Sequence, residues 1–202
     1  SDVHRVQSLD NLDCQFGSKI ALWCGTYLAA SKKGRLRVLA STQPNAIEAA
    51  VAVAAVGGGR ATHQSGLNPL DRGSKRVSAD DDDRSMAFGE RFEGGGESYA
   101  DLVRRLEPCL LDIEASMDPV LVIAHVGPCR ALRAYFLGLD VAKTMGAPES
   151  DGARALANRA ECIVELKPKI AGSWLEKIHD LSAQQATPKG DDAGAAKRAR
   201  TE

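Results

Sequence analysis

The unbroken apolar run from Val120 to Ala124 constrains this chain more than any other feature of its sequence. A strand without a polar face must be covered on both sides, as in a parallel sheet packed between helices. The segment PVLVIAH (119–125) has strand length, and GPCRALRAYFLGLD (127–140) follows it directly. Leu132, Tyr135, Phe136 and Leu139 recur there at helical spacing, so a strand feeds a helix. The same alternation runs through the chain. Residues 17–33 read as a helix capped by Gly34, and LRVLAS (36–41) as a strand. Pro44 opens a helix over 47–56, and AECIVELKP (160–168) is another strand. The predicted architecture is α/β: a three-layer sandwich, with a mainly parallel sheet and helices on both faces.

Between these elements the signals differ. Residues 57–98 are rich in Gly, Asp and Ser and read as a long irregular stretch, of the kind that is functional or disordered. Ser98 and Asp101 form a capping-box pattern before a helix over 98–115, which Pro108 is expected to kink. His179, in WLEKIHDL, is assigned to a late helix. Residues 1–180 are expected to form one domain. From 181 onward no periodic apolar face remains, so 181–202 reads as a disordered tail carrying a short basic patch, KRAR (197–200). Aromatics make up only 4% of the chain, so the core must come from Ala, Val, Leu and Ile.

Charge excludes some functions. Lys and Arg number 26 against 27 Asp and Glu, which disfavours a nucleic-acid or membrane-surface role driven by net charge. No apolar run approaches the ~20 residues that span a bilayer. The start, SDVHRVQSLDN, is polar and is not read as a signal peptide. Without an initiator Met, the chain is expected to be a piece of something longer. Residues 1–78 carry a net +5 and residues 79–118 a net −8, including Asp80 to Asp83, which read as a solvated loop and not a metal site. The five scattered cysteines form no CxxC pair and read as reduced packing residues of a cytoplasmic protein.

Ligands of open parallel sheets sit at the carboxyl ends of the strands. LRVLASTQPN (36–45) and VLVIAHVGPCR (120–130) occupy such places, putting His125 at a strand tip and Arg130 a turn later. That His can hold a phosphoryl oxygen or shuttle a proton, and that Arg can clamp phosphate. Equally, backbone carbonyls can satisfy the His while the Arg faces solvent. His63 reads as solvated, and Trp23 and Trp174 as packing residues.

These segments carry a resemblance. GESYADLVRRLEP (96–108) is similar to the GESY–DLVQRLEP stretch of the fructose-2,6-bisphosphatase domain found in bifunctional 6-phosphofructo-2-kinase/fructose-2,6-bisphosphatases. VLVIAHVGPCRALRAYFL (120–137) resembles that family's VLVICHQ…R…LLAYFL. LNPLDRG (67–73), LDCQFG (12–17) and ECIVELKP (161–168) fit weaker signatures, and the likeness covers about residues 5–168. It implies a histidine phosphatase fold related to phosphoglycerate mutases. It also implies a covalent phosphohistidine mechanism: a His in an Arg-His-Gly motif attacks the phosphate, two arginines and a second His neutralise it, and a Glu protonates the leaving oxygen.

Carried onto this chain, the second His is His125. Arg130, Tyr99 and Arg91 match groups that contact the sugar's other phosphate, Arg91 through a one-residue insertion, and Glu97 is retained. The Arg-His-Gly triplet is absent; His4-Arg5 is the nearest pair, in reversed order. Asn45 stands where the clamping Arg belongs, Pro69 where the acid Glu belongs, and Val126 where the Gln after the second His belongs. Glu48, Glu90 and Glu93 are candidates to replace the acid. No cofactor or metal is implied.

The resemblance therefore implies a degenerate bisphosphatase domain beside an upstream kinase domain, with a sugar phosphate as its ligand. The alternatives are an active fructose-2,6-bisphosphatase whose nucleophile strand lies upstream of Ser1, or a non-enzymatic interaction module. A missing first strand would leave an open sheet edge, from which homodimerisation is expected.

Overall fold

The computed structural model describes residues 4–8, 14–31, 35–57, 59–74, 87–146, 162–170 and 172–181. The acidic run 80–83, the tail from 182 and its KRAR patch lie outside the described residues. In chain order the elements are β1 (His4–Ser8), α1 (Cys14–Ser31), β2 (Arg37–Ala40), α2 (Pro44–Gly57) and β3 (Ala61–His63). A single 3-10 turn, Ser65–Leu67, precedes α3 (Tyr99–Glu114), β4 (Val120–Ala124), α4 (Val126–Leu137), α5 (Val141–Gly146), β5 (Cys162–Pro168) and β6 (Trp174–Asp180).

The strands form one sheet in the order β3-β2-β4-β1-β5-β6. Strands β3, β2, β4 and β1 run parallel, β5 runs antiparallel to β1, and β6 antiparallel to β5. Alternation along the strands divides the core in two. Val120, Val122 and Ala124 pack with Leu102, Leu106, Leu132 and Phe136 of α3 and α4. Leu121 and Ile123 pack with Ile20, Trp23, Ala49 and Val53 of α1 and α2. The apolar run of β4 is thus explained by helices on both of its faces, as the sequence predicts. Small alanines let α2 approach α1 closely, and Gly138, at φ 65°, closes α4 in the left-handed conformation.

The capping box is present. Ser98 Oγ accepts from the Asp101 amide at 3.1 Å, and Asp101 Oδ2 accepts from the Ser98 amide at 3.1 Å. These Ser98 bonds, aided by Arg91, hold the Asp101 carboxyl below its ordinary range. A carboxylate with a lowered value stabilises the fold above the ordinary aspartate range and loses that contribution as pH falls through its folded value. Ser98→Ala is expected to cost about 1 kcal/mol in thermal unfolding at neutral pH, with the difference shrinking on acidification. Helix α3 continues through Pro108.

Three expectations are corrected. The first strand is neither absent nor replaced by an open edge: His4–Ser8 pairs with both β4 and β5, and the sheet's edges are β3 and β6. HRVQS lacks the apolar run that would announce a central strand, so only its pairing identifies it. WLEKIHD is not helical. It is β6, paired with β5 from Pro168↔Trp174 to Cys162↔Asp180, and tertiary pairing overrides the helix-compatible spacing of Leu175 and Ile178. Its His179 is held by the buried carboxylate of Glu165 at 2.8 Å and meets Trp23 edge-on at 4.9 Å. The stretch 57–98, read as irregular, contains β3 and the 3-10 turn, with the exposed His63 in β3.

Cys24, Cys109, Cys129 and Cys162 are buried and unoxidised, as expected of packing residues. Burial, with Asp180 adding to it, pushes the Cys162 thiol up to about 11, and burial also raises Cys109. Trp174 packs on Phe136.

Candidate active site

The carboxyl ends of β2 and β4 lie side by side, because Ala40 is in register with Ile123 and the Ser41 amide continues the ladder to the Ile123 carbonyl at 2.9 Å. Each strand then delivers one polar side chain. His125 leaves β4 in an extended conformation as the N-terminal cap residue of α4, and is only 6% exposed. Ser41 leaves β2 fully buried. Their side chains meet, with Ser41 Oγ 3.1 Å from His125 Nε2. Ser41 Oγ also accepts from the Gln43 amide at 3.2 Å.

A second layer of contacts holds the loop over this pair. Thr42 donates through both its amide and its hydroxyl to Asn68 Oδ1, each at 2.9 Å. Asn68 belongs to a segment gripped from α3 by Arg105. That guanidinium donates to the carbonyls of Ser65, Gly66, Asn68 and Pro69. It also pairs with both carboxylate oxygens of Glu97, at 2.8 and 3.1 Å. Glu97 in turn accepts from the Asp71 amide at 3.1 Å. Gly66 permits the approach: a Cβ there would sit 2.7 Å from both the Arg105 carbonyl and Cys109 Sγ. The starts of α3 and α4 converge on the same loop, since a Cβ on Gly127 would lie 3.2 Å from Leu102 and 4.0 Å from Leu70.

The residues singled out in the sequence take the following places. His125 and the half-buried Arg130 share the beginning of α4. Arg91 is exposed and paired with Asp101 at 3.0 Å, so it lies at the cap of α3. Tyr99 opens α3 and is buried, its ring edge-on to Phe92. Glu97 is engaged with Arg105, while Glu48, Glu90 and Glu93 are exposed. Asn45 caps locally, its Oδ1 accepting from the Ala46 amide. Pro69 contributes its carbonyl to Arg105.

Sequence reading missed Ser41, Asn68 and Arg105. Ser41 and His125 are far apart in the chain, and only the adjacency of β2 and β4 joins them. Nothing local announces Ser41: both stretches end at strand carboxyl ends, but only the fold makes those two strands neighbours. Chemically, the arrangement offers one imidazole, the amides of a helix N-terminus and a nearby arginine to an anion.

The family model of the histidine phosphatase superfamily (branch 1) matches residues 17–150. The chain belongs to the histidine phosphatase superfamily. That match starts after β1. Solved structures of the superfamily's shape agree with the fold. A mycobacterial glucosyl-3-phosphoglycerate phosphatase complexed with VO3 superposes at a TM-score of 0.60, with 19% identity over 89% of this chain and 97% of that one. YhfR of Bacillus stearothermophilus gives 0.60, with 15% identity over 89% and 96%.

Curated relatives match shorter stretches. The 6-phosphofructo-2-kinase/fructose-2,6-bisphosphatase of Arabidopsis thaliana is 51% identical over 41 residues, 20% of this chain and 6% of that protein. The 6-phosphofructo-2-kinase/fructose-2,6-bisphosphatase 1 of Rattus norvegicus is 37% identical over 84 residues, 42% of this chain and 16% of that protein. The 6-phosphofructo-2-kinase 1 of Saccharomyces cerevisiae is 44% identical over 52 residues, 25% and 6%. The matched stretches thus span at most about a sixth of these relatives' own length. This histidine phosphatase domain is similar to the bisphosphatase region of the bifunctional proteins. Among the described residues, no helix is long and apolar enough to cross a membrane.

Proposed function

We propose that this chain is a histidine phosphatase domain of fructose 2,6-bisphosphate metabolism that no longer hydrolyses its ester. It serves instead as a cytoplasmic regulatory or assembly module beside a 6-phosphofructo-2-kinase domain. In this reading it retains a grip on a sugar phosphate through His125, Arg130, Arg91 and Tyr99, and it has no nucleic-acid or membrane partner. The observation that carries the reading is the loss of two separate chemical roles inside the matched segments: Asn45 stands in place of a cationic clamp and Pro69 in place of a proton donor. Each missing preorganised donor costs ~100–1000-fold in rate. Binding survives such losses, because charge-assisted bonds to phosphate need no nucleophile.

Two further points support it. A Saccharomyces cerevisiae relative, 44% identical over 52 residues, is named 6-phosphofructo-2-kinase 1, in keeping with a kinase partner domain. An active enzyme with an Arg-His-Gly strand upstream of Ser1 would also have to seat that strand beside β4, in the place where His4–Ser8 pairs. Homodimerisation no longer follows from an open edge, and stands as a separate proposal for the assembly role.

Incubating the purified chain with fructose 2,6-bisphosphate is expected to release no phosphate, while hexose phosphates raise its thermal midpoint. Turnover that disappears in His125→Ala would overturn the inactive reading. A midpoint indifferent to hexose phosphates at every concentration would remove the binding role.

A further inference from the structure

We infer that Ser41 is a positioning residue that holds His125 as the tautomer protonated on Nδ1, so that Nε2 acts as an acceptor. The inference deepens the binding role proposed above and rests on it for its consequence, though not for its geometry.

A serine hydroxyl has one proton and two acceptor lone pairs. At Ser41 one lone pair takes the Gln43 amide. The side chain is fully buried, so its proton must be given to a protein acceptor. Among the described residues, the acceptor within reach is His125 Nε2, at 3.1 Å. The reverse assignment, with Nε2–H donating to Ser41 Oγ, would fill both lone pairs and strand the hydroxyl proton in a dry site. Which imidazole nitrogen carries the proton is set by the bond the other nitrogen makes. The backbone supports the arrangement. The backbone of Ser41 is fixed by the ladder to Ile123 and that of the next residue by Asn68, and the hydroxyl cannot swing away without giving up the Gln43 amide.

The consequence is chemical. An acceptor nitrogen presents a lone pair, not a proton, to anything approaching on that side. A phosphate oxygen can take a bond from it only if Ser41 yields and Nε2 gains a proton, either by protonation of the ring or by transfer of its proton from Nδ1. Ser41 thus competes with the anion for His125 and weakens the grip of the site.

The test is a long-range nitrogen–proton correlation spectrum of the histidine-labelled chain, recorded above the imidazole titration range. His125 is assigned by the signal missing in His125→Gln. The wild-type chain is expected to show His125 protonated on Nδ1. Ser41→Ala, which removes a single oxygen, is expected to move the tautomer ratio roughly tenfold toward Nε2–H. A wild-type ring protonated on Nε2, or a ratio unchanged in Ser41→Ala, overturns the inference. Titrating inorganic phosphate into the same samples separates the two readings. Tighter binding by Ser41→Ala than by wild type supports the competition, and equal or weaker binding overturns it. If neither protein binds phosphate, the binding role fails while the tautomer result still decides the part played by Ser41.

Discussion

Replacing Arg133 with leucine is expected to destabilise the domain by about 3–5 kcal/mol, the cost of removing one partner from a buried ion pair. Arg133 lies on α4 with only 3% of its side chain exposed. Its Nε and Nη2 reach the two oxygens of Glu176 on β6, at 2.5 and 2.7 Å. A fork-to-fork pair of this kind satisfies a guanidinium that is almost wholly buried and a carboxylate that is about a fifth exposed. Without the guanidinium, the Glu176 carboxylate is left largely buried beside an apolar helix. The resembled segment reads LLAYFL where this chain reads LRAYFL, so the arginine occupies a leucine position. That substitution makes the double variant informative. Arg133→Leu with Glu176→Leu removes both charges and restores apolar contact, and is expected within about 1 kcal/mol of wild type, since replacing a whole buried pair is often neutral. Urea unfolding of the four proteins of the cycle measures this. A single variant as stable as wild type would mean that the pair holds nothing together.

Arg105→Ala is expected to cost about 3 kcal/mol and to lower the melting temperature by about 6–12 °C for a chain of this size. Hydrogen bonds from a charged donor are each stronger than neutral ones, but about a fifth of this side chain is exposed, and water will replace some of what is lost. The local effect should be sharper than the global one. Four carbonyls of the 65–69 segment and the Glu97 carboxylate converge on this guanidinium. Hydrogen exchange at the Thr42 and Asp71 amides, whose acceptors Arg105 holds directly or at one remove, is therefore expected to rise well beyond the change at β4. Arg105→Lys should rescue little, since an ammonium is a point charge with three donors and cannot span carbonyls and carboxylate together. Full protection in either variant would show that the loop stands without its clamp.

What could be read in advance follows from where each interaction lies along the chain. β4 and α4 are legible because a run without polar residues and a helical stripe each carry their own period. The α3 start is legible because Ser98 and Asp101 are three residues apart and cap each other. β6 misleads because Leu175 and Ile178 fit a helix as well as an edge strand, and only β5 decides between them. β1 is silent because HRVQS shows neither period. At the site, His125 and Arg130 stand out by their position after a strand. Glu97 stands out as a retained residue, but its partner Arg105 is eight residues away, outside helical neighbour spacing, and nothing local announces their pairing. Ser41 and Asn68 are ordinary polar residues until the sheet brings their segments together.

The position of β1 has a consequence for how the molecule is made. His4 faces Val120 on one side and Leu166 on the other. The strand of this sheet that comes earliest in the chain therefore lies between two strands that come much later. Until β5 emerges, the nascent chain presents β2 and β4 without a completed sheet, and pairings this distant in sequence close slowly. A growing chain halted before Cys162 is thus expected to remain open and in need of chaperone cover, with closure around β1 awaiting β5.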